Sequence, residues 1–279
     1  MTKRAGYVFV APFLFFFVLL FLLPLGYAGY LSLFKDQLVG GTVFAGLANY
    51  TRALTDPQLL RGVLRVGLFF GIQVPVMLAV SLGAALAIDS GLLRMARVFR
   101  LGVFIPYAVP SVVAALMWGY LYGPSFGPLA RFGVNLLTDS AMLPALGNIV
   151  TWEFAGYNMI ILYAALRTVP AERYEAAAAD GAGPWRTAWH IKIPALRPAL
   201  LLCLVFSVIG SFQLFAEPNL IQRLAPTVVN SSYTPNLYAY SLAFTSQQVN
   251  YAAAVSFLLG FVILVVSYAV LLTAGRSRR

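Results

Sequence analysis

Polar side chains are few inside the long apolar stretches of this 279-residue sequence, and those few are where chemistry could be done. Glu153 and Glu217 supply carboxyls, Asn158 and Gln213 amides, Ser111 a hydroxyl, and Trp118, Trp152 and Tyr157 rings with a polar edge. Helical spacing aligns Ser111, Ala115, Trp118 and Tyr122 on one face. It puts Glu153 and Tyr157 on a second, flanked by Trp152 and Asn158, and Phe206, Gly210, Gln213 and Glu217 on a third. Rings beside amides or carboxyls suit a sugar, which offers an apolar face and a rim of hydroxyls. A purely structural use stays open, because Tyr and Trp form interface belts and Asn or Gln can bond a neighbouring helix.

Other chemistries have less behind them. His190 has no second His, Cys or acid at metal-ligand spacing, so no metal site is expected. Cys203 is the one cysteine, which excludes a disulfide and a cysteine-built metal site within the chain. No Ser-His-Asp set is apparent. A membrane-embedded enzyme would have to use Glu153, Glu217 and His190, which fall on separate segments. An ion-coupled carrier wants acids near the bilayer midplane, whereas these two carboxyls read as lying near span ends.

The elements that must position these residues are set by composition. The hydrophobic share is 61 % and the charged share 10 %, against about 25 % charged residues in a soluble domain. So much apolar surface has no place in one water-soluble core of this size. The chain reads as an all-α membrane protein with a single domain over residues 1–279. Six spans are expected at about 7–31, 66–88, 101–122, 146–166, 198–220 and 251–273, each near the ~20 residues needed to cross a bilayer. The first is too long for the roughly 7–15-residue core of a signal peptide and is expected to stay as a spanning helix.

The formal net charge is +10. The basic residues lie in short gaps between apolar runs instead of clustering on a soluble face, which argues against nucleic acid and for a topological signal. With both termini inside, 13 Lys and Arg fall on the cytoplasmic side and 6 outside. Both termini are therefore expected in the cytoplasm.

Residues 168–197, between the fourth and fifth spans, do not read as a solvated loop. Tyr174, Trp185, Trp189, Ile191 and Ile193 accompany four consecutive alanines, Ala176 to Ala179. Pro170 suits a helix start, Glu172 and Glu175 favour its positive end, and the alanines propagate it. Gly181 ends it, Gly183-Pro184 opens a second short helix, and Ile193-Pro194 is expected to force an extended exit. Composition leaves two uses open: a segment that covers its own helix ends, or a docking element.

Glu175-Ala176-Ala177, three residues, Gly181, nine residues, Ile191, one residue, Ile193, Pro194 resembles the EAA motif of the membrane subunits of binding-protein-dependent ABC importers. Only Ile193 departs, where Leu is usual. The run from Pro170 to Trp185 is similar to the carbohydrate-uptake branch, the maltose and glycerol-3-phosphate type. Gly46 to Tyr50, Pro106 with Trp118, Trp152 with Gly156-Tyr157-Asn158, and Ser211-Phe212-Gln213 extend the likeness along most of the chain. The stretch after the fifth span, Leu220 to Pro226, lacks the Gly-rich turn of many members.

The resemblance implies a type I ABC importer permease fold in the inner membrane, in contact with membrane lipid. It implies that Glu175, Ala176, Ala177, Ala178, Asp180, Gly181, Ile191 and Pro194 engage a separate ATPase. It implies a translocation path built from Ser111, Trp118, Trp152, Glu153, Tyr157, Asn158, Gln213 and Glu217. The implied partners are a second homologous permease, a cytoplasmic ATPase dimer and an extracytoplasmic solute-binding protein. No phosphate-cradling G-x-x-x-x-G-K-[ST] loop occurs in the sequence. ATP and Mg are accordingly expected on the partner ATPase, and no cofactor on this chain.

The charge asymmetry predicts that reporter fusions after Ala274 and within residues 89–100 read cytoplasmic, and a fusion at Ser231 reads external. A cytoplasmic signal at Ser231 would refute the six-span topology.

Overall fold

Long apolar helices dominate the computed structural model, which describes residues 3–276 apart from 38, 39, 92, 125 and 126. Arg278 and Arg279, counted in the charge balance, lie outside the described residues. Among the described residues, four unbroken helices are long and apolar enough to span a bilayer: α1 (Tyr7–Ser32), α3 (Pro57–Asp89), α6 (Asp139–Leu166) and α12 (Val249–Leu272, continuing to Arg276). Two bent pairs qualify jointly. They are α4 (Ala96–Ala108) with α5 (Ser111–Tyr122), bent by 97°, and α8 (Pro184–Ala195) with α9 (Arg197–Phe212), bent by 62°. Counting each pair once gives six. The other elements are β1 (Phe34–Gln37), β2 (Gly41–Phe44), α2 (Ala48–Thr55), α7 (Ala171–Ala179), α10 (Ala216–Leu224) and α11 (Pro235–Tyr240).

The breaks follow from proline. The expected 101–122 span turns at Val109, which is extended (φ −78°, ψ 127°) because it precedes Pro110. The expected 198–220 span stops at Phe212. A helix running on through Leu214 would drive the Pro218 ring into the Leu214 carbonyl, so the chain turns and restarts as α10. The freed Leu214 carbonyl accepts the Thr234 hydroxyl at 3.0 Å. The extended exit expected at Ile193-Pro194 is instead helical. A π turn, Ala188–Lys192, lets the Ile193 N–H reach the Ala188 carbonyl, and the wider turn accommodates the proline.

The chain forms two compact units. Residues 1–61 and 238–262 make the first. Its α1 is apolar all round, and most of its side chains are exposed, Phe9 at 81 % and Tyr30 at 56 % among them, as befits a helix solvated by lipid. The antiparallel β1–β2 hairpin, which the all-helical reading did not anticipate, pairs Phe34 with Phe44 and Asp36 with Thr42. Buried Asn49 of α2 donates to the Ser32 and Phe34 carbonyls at 2.9 and 2.6 Å, fixing the end of α1 to the start of the hairpin.

Asp56 gathers the rest of this unit. One carboxyl oxygen caps α3 by accepting the Gln58 and Leu59 N–H groups at 2.9 and 3.4 Å. The other accepts the Tyr238 and Tyr251 hydroxyls, both at 2.7 Å. The Arg52 guanidinium lies 3.8 Å from the centre of the Tyr251 ring. Asn250 donates to Asp36 at 2.8 Å, and Thr42 donates to the same oxygen at 2.9 Å.

Residues 62–237 and 263–279 make the second unit, built along α6. Met142, Ala145, Leu146 and Ile149 of α6 sit in one apolar core with Phe69, Ala114, Tyr122 and Ile221. Met159, Leu162 and Leu166 sit in another with Ala85, Ile88, Leu196 and Cys203. The α6 residues between them, 150–158, belong to neither buried set as a block and include Thr151, Glu153 and Asn158.

Burial alone would raise the Asp56 pKa, but the two tyrosine hydroxyls and two backbone N–H groups outweigh it and hold the carboxyl below its ordinary value. Asp56→Ala is expected to cost about 1.5–3 kcal/mol, the range for bonds to a charged group, read as a lower melting temperature in detergent. The sign for pH follows from the lowered pKa. The contribution is complete above the unfolded value of about 3.9 and is lost as pH falls through the folded one. The gap between wild type and Asp56→Asn should therefore close on acidification.

Candidate functional site

Between the two apolar cores of the second unit lies a cavity of about 520 Å³, within the roughly 300–1,000 Å³ usual for small-molecule sites. Five of the sequence-predicted path residues line it: Ser111, Tyr157, Asn158, Gln213 and Glu217. The helix breaks put them there. Ser111 opens α5 just after the Pro110 bend, and Gln213 is the residue at which α9 stops. Gln213 is exposed into this space, whereas Asn158 is 3 % exposed and donates to the Met77 sulfur at 3.6 Å.

Aromatic rings form one wall. Tyr107 stacks on Tyr157 with ring centres 4.7 Å apart and 20° between planes, and meets Phe154 edge-on at 5.8 Å. This arrangement is only possible because α4 and α6 touch at backbone distance. A Cβ at Gly156 would overlap the Val103 carbonyl and the Phe104 Cα. Ser81 ties α3 to α6 by donating to the Ala155 carbonyl at 2.9 Å.

The remaining path candidates lie elsewhere. Trp118 and Trp152 meet edge-on at 5.8 Å and pack against the first core, not into the cavity. The Trp118 indole nitrogen is buried without a partner. Glu153 is 3 % exposed and does not line the cavity; its Oε2 is buried without a hydrogen-bond partner, and the Glu217 carboxyl is its near neighbour. The sequence reading had these acids apart near span ends; folding α10 back against α6 brings them together. Gln73, Tyr107, Phe154, Ser207 and Ser211 line the cavity and were not singled out from sequence. Gln73 carried a usable signal, being an amide inside an expected span.

A second candidate site is the exposed segment after α6. Helix α7 starts after Pro170, one residue later than the sequence suggested, and ends in a Schellman motif. Ala182 N–H bonds the Ala177 carbonyl at 2.8 Å and Gly181 N–H the Ala178 carbonyl at 3.0 Å, with Gly181 at φ +72°. Glu175, Ala176, Ala178, Asp180 and Gly181 are exposed, Ala177 is buried, and Ile191 and Pro194 of α8 are half-buried. Ala176, Ala177, Asp180, Ile191 and Pro194 line one open notch between α7 and α8, with His190 at its edge. Glu175 and Ala178 project from the same helix outside the notch, so the motif presents a small-residue knob beside a shallow recess.

Comparisons with known proteins were made against this geometry. The family model described as "Binding-protein-dependent transport system inner membrane component" matches residues 79–277. The arabinooligosaccharides transport system permease protein AraP of Bacillus subtilis (strain 168) is 30 % identical over 98 % of this chain and 89 % of its own length. The lactose transport system permease protein LacF of Rhizobium radiobacter is 30 % identical over 94 % of this chain and 91 % of its own. Among solved structures, a bacterial ABC transporter involved in the import of the acidic polysaccharide alginate contains a chain with TM-score 0.85 and 20 % identity, covering 98 % of this chain and 96 % of that one. That likeness shows the fold.

Gly156→Ala is expected to push α4 off α6 and destabilise the protein by about 1–3 kcal/mol or more, as overpacking does. Gly210→Ala, where a Cβ meets open space, should be neutral or slightly stabilising. Melting curves of the two variants in the same detergent check the contrast.

Proposed function

The chain belongs to the family of binding-protein-dependent transport system inner membrane components, and we propose that within it this subunit forms the path for a sugar or sugar-like solute in an ABC importer. The observation that carries the reading is the cavity between the two apolar cores. Stacked Tyr107 and Tyr157 offer a ring surface, while Asn158, Gln213, Ser111 and Glu217 offer hydrogen-bonding groups. A pyranose needs both at once: apolar contact for its C–H face and polar partners for its hydroxyls. Relatives of near-equal length named for arabinooligosaccharide and lactose transport support a carbohydrate.

The energy would arrive through α7. Its exposed knob of Glu175 and small alanines would enter a groove on a cytoplasmic ABC ATPase dimer. The notch lined by Asp180, Ile191 and Pro194 would receive the rim of that groove. ATP and Mg would be held by the ATPase and no cofactor by this chain. A second homologous permease would complete the membrane part as a heterodimer, a solute-binding protein would deliver solute from outside, and lipid would cover the exposed apolar helices. Closure of the ATPase would then move α7 and α8 as a rigid body and alternate access to the cavity.

Two contacts support the proposed orientation. Lys192 pairs with Asp89, linking segments that the charge count assigns to the cytoplasm. Arg65 donates to the Tyr233 carbonyl at 2.7 Å, linking segments assigned to the outside.

In vesicles holding the assembled importer, Gln213→Ala should lower solute uptake severalfold with assembly unchanged. Unaltered uptake at both limiting and saturating solute would return Gln213 to a helix–helix role. Glu175→Lys, or Gly181→Asp with a left-handed strain of about 1–3 kcal/mol, should abolish uptake while membrane insertion survives. Normal uptake by Gly181→Asp, or equal ATPase capture with residues 168–197 replaced by a flexible linker, would remove the coupling role.

A further inference from the structure

Asp89, Tyr174 and Lys192 come from three different elements and meet at one point. Asp89 is the last residue of α3, Tyr174 lies in α7, and Lys192 ends the π turn of α8. Lys192 Nζ is 2.6 Å from Asp89 Oδ2, and the two side chains are 14 % and 11 % exposed. The same ammonium lies 5.4 Å from the centre of the Tyr174 ring. The Tyr174 hydroxyl is buried without a hydrogen-bond partner. Burial first, and the nearby Asp89 charge second, raise its pKa against the opposing pull of Arg167.

Apolar packing also joins α3 to this region: Ile88, Leu166 and Leu196 share one core. Apolar contacts resist separation but tolerate sliding. A mostly buried ion pair does not slide, because each partner released alone would carry an uncompensated charge out of water. From Asp89, α3 runs twelve residues to Met77 at the cavity wall, about 18 Å at 1.5 Å per residue. Pro75 lies beyond that stretch, so no proline interrupts it. Ser81, within it, is bonded to α6.

We propose that Asp89 and Lys192, seated on the Tyr174 ring, are positioning residues that lock the α7–α8 segment to α3 and carry its displacement to the cavity wall. The inference rests on the reading of α7 as the element that meets the ATPase. Tyr174 contributes its ring and not its hydroxyl, since the hydroxyl bonds nothing.

The test uses the complete importer in vesicles and reads two quantities separately: ATPase retained with the membrane subunits, and solute moved per ATP hydrolysed. Asp89→Asn and Lys192→Met are expected to retain the ATPase but to lower solute per ATP roughly tenfold, the scale on which coupling residues act. The exchange Asp89→Lys with Lys192→Asp should restore at least half of the ratio, and Lys192→Arg should keep it. Tyr174→Phe should leave it intact and Tyr174→Ala lower it. Unchanged ratios in both single variants, or an exchange variant as poor as the singles, overturn the proposal. Should Asp89→Asn fail to reach the membrane, Lys192→Gln gives the same reading with α3 untouched. Failure of the underlying reading looks different: the wild-type complex would hold its ATPase equally well without residues 168–197.

Discussion

A chain that crosses a bilayer must satisfy its backbone N–H and C=O groups from within, and here the prolines decide where that rule is met by something other than a straight helix. Twice the solution is the same. A five-residue π turn, Val18–Leu22 or Ala188–Lys192, is followed two residues later by Pro24 or Pro194. The wider turn absorbs the ring and the helix continues. At Pro110 and Pro218 the helix gives way instead, and the consequences differ. Pro110 turns α4 into α5, and Pro218 leaves the Leu214 carbonyl to Thr234. The cavity is bounded by the residues next to these two breaks, Ser111, Gln213 and Leu214. A chamber that carries polar groups is thus the by-product of interrupted helices, between apolar cores strung along α6.

Legibility in the sequence followed the range of the interactions. The α7–α8 segment is specified by neighbours in the chain, so Pro170, the alanines, Gly181 and Pro184 announced two short helices and a left-handed glycine. The larger local error, the extended exit at Ile193, came from not allowing for a π turn. The path residues are specified at long range, and there sequence faces were a partial guide. Ser111 and Trp118 share a helical face, yet the bend before α5 sends Ser111 to the cavity and leaves Trp118 against the core. Glu153 and Glu217 meet only because α10 folds back. Gln73, on α3, was visible as an amide among apolar residues, but its place beside Thr151 and Met77 required the fold.

The two candidate sites also differ in mechanical character. At the cavity wall the contacts are long: Gln73 and Asn158 donate to the Met77 sulfur at 3.4 and 3.6 Å, and Gln73 reaches Thr151 beside it at 3.3 Å. The exposed segment is rigid by comparison, closed by a Schellman motif at one end and held by a 2.6 Å ion pair at the other.

The carboxylate of Asp56 has an implication for how the protein is made. Its hydroxyl partners, Tyr238 and Tyr251, follow it by 182 and 195 residues, and the Asn250 that holds Asp36 follows by 214. At about 5–20 residues per second of synthesis, the first outer segment waits on the order of 10–40 s for its partners to leave the ribosome. Through that interval Asp36 and Asp56 have only their local partners, Thr42 and the Gln58 and Leu59 N–H groups. The first unit can therefore be completed only after residues 62–237 of the second have been made.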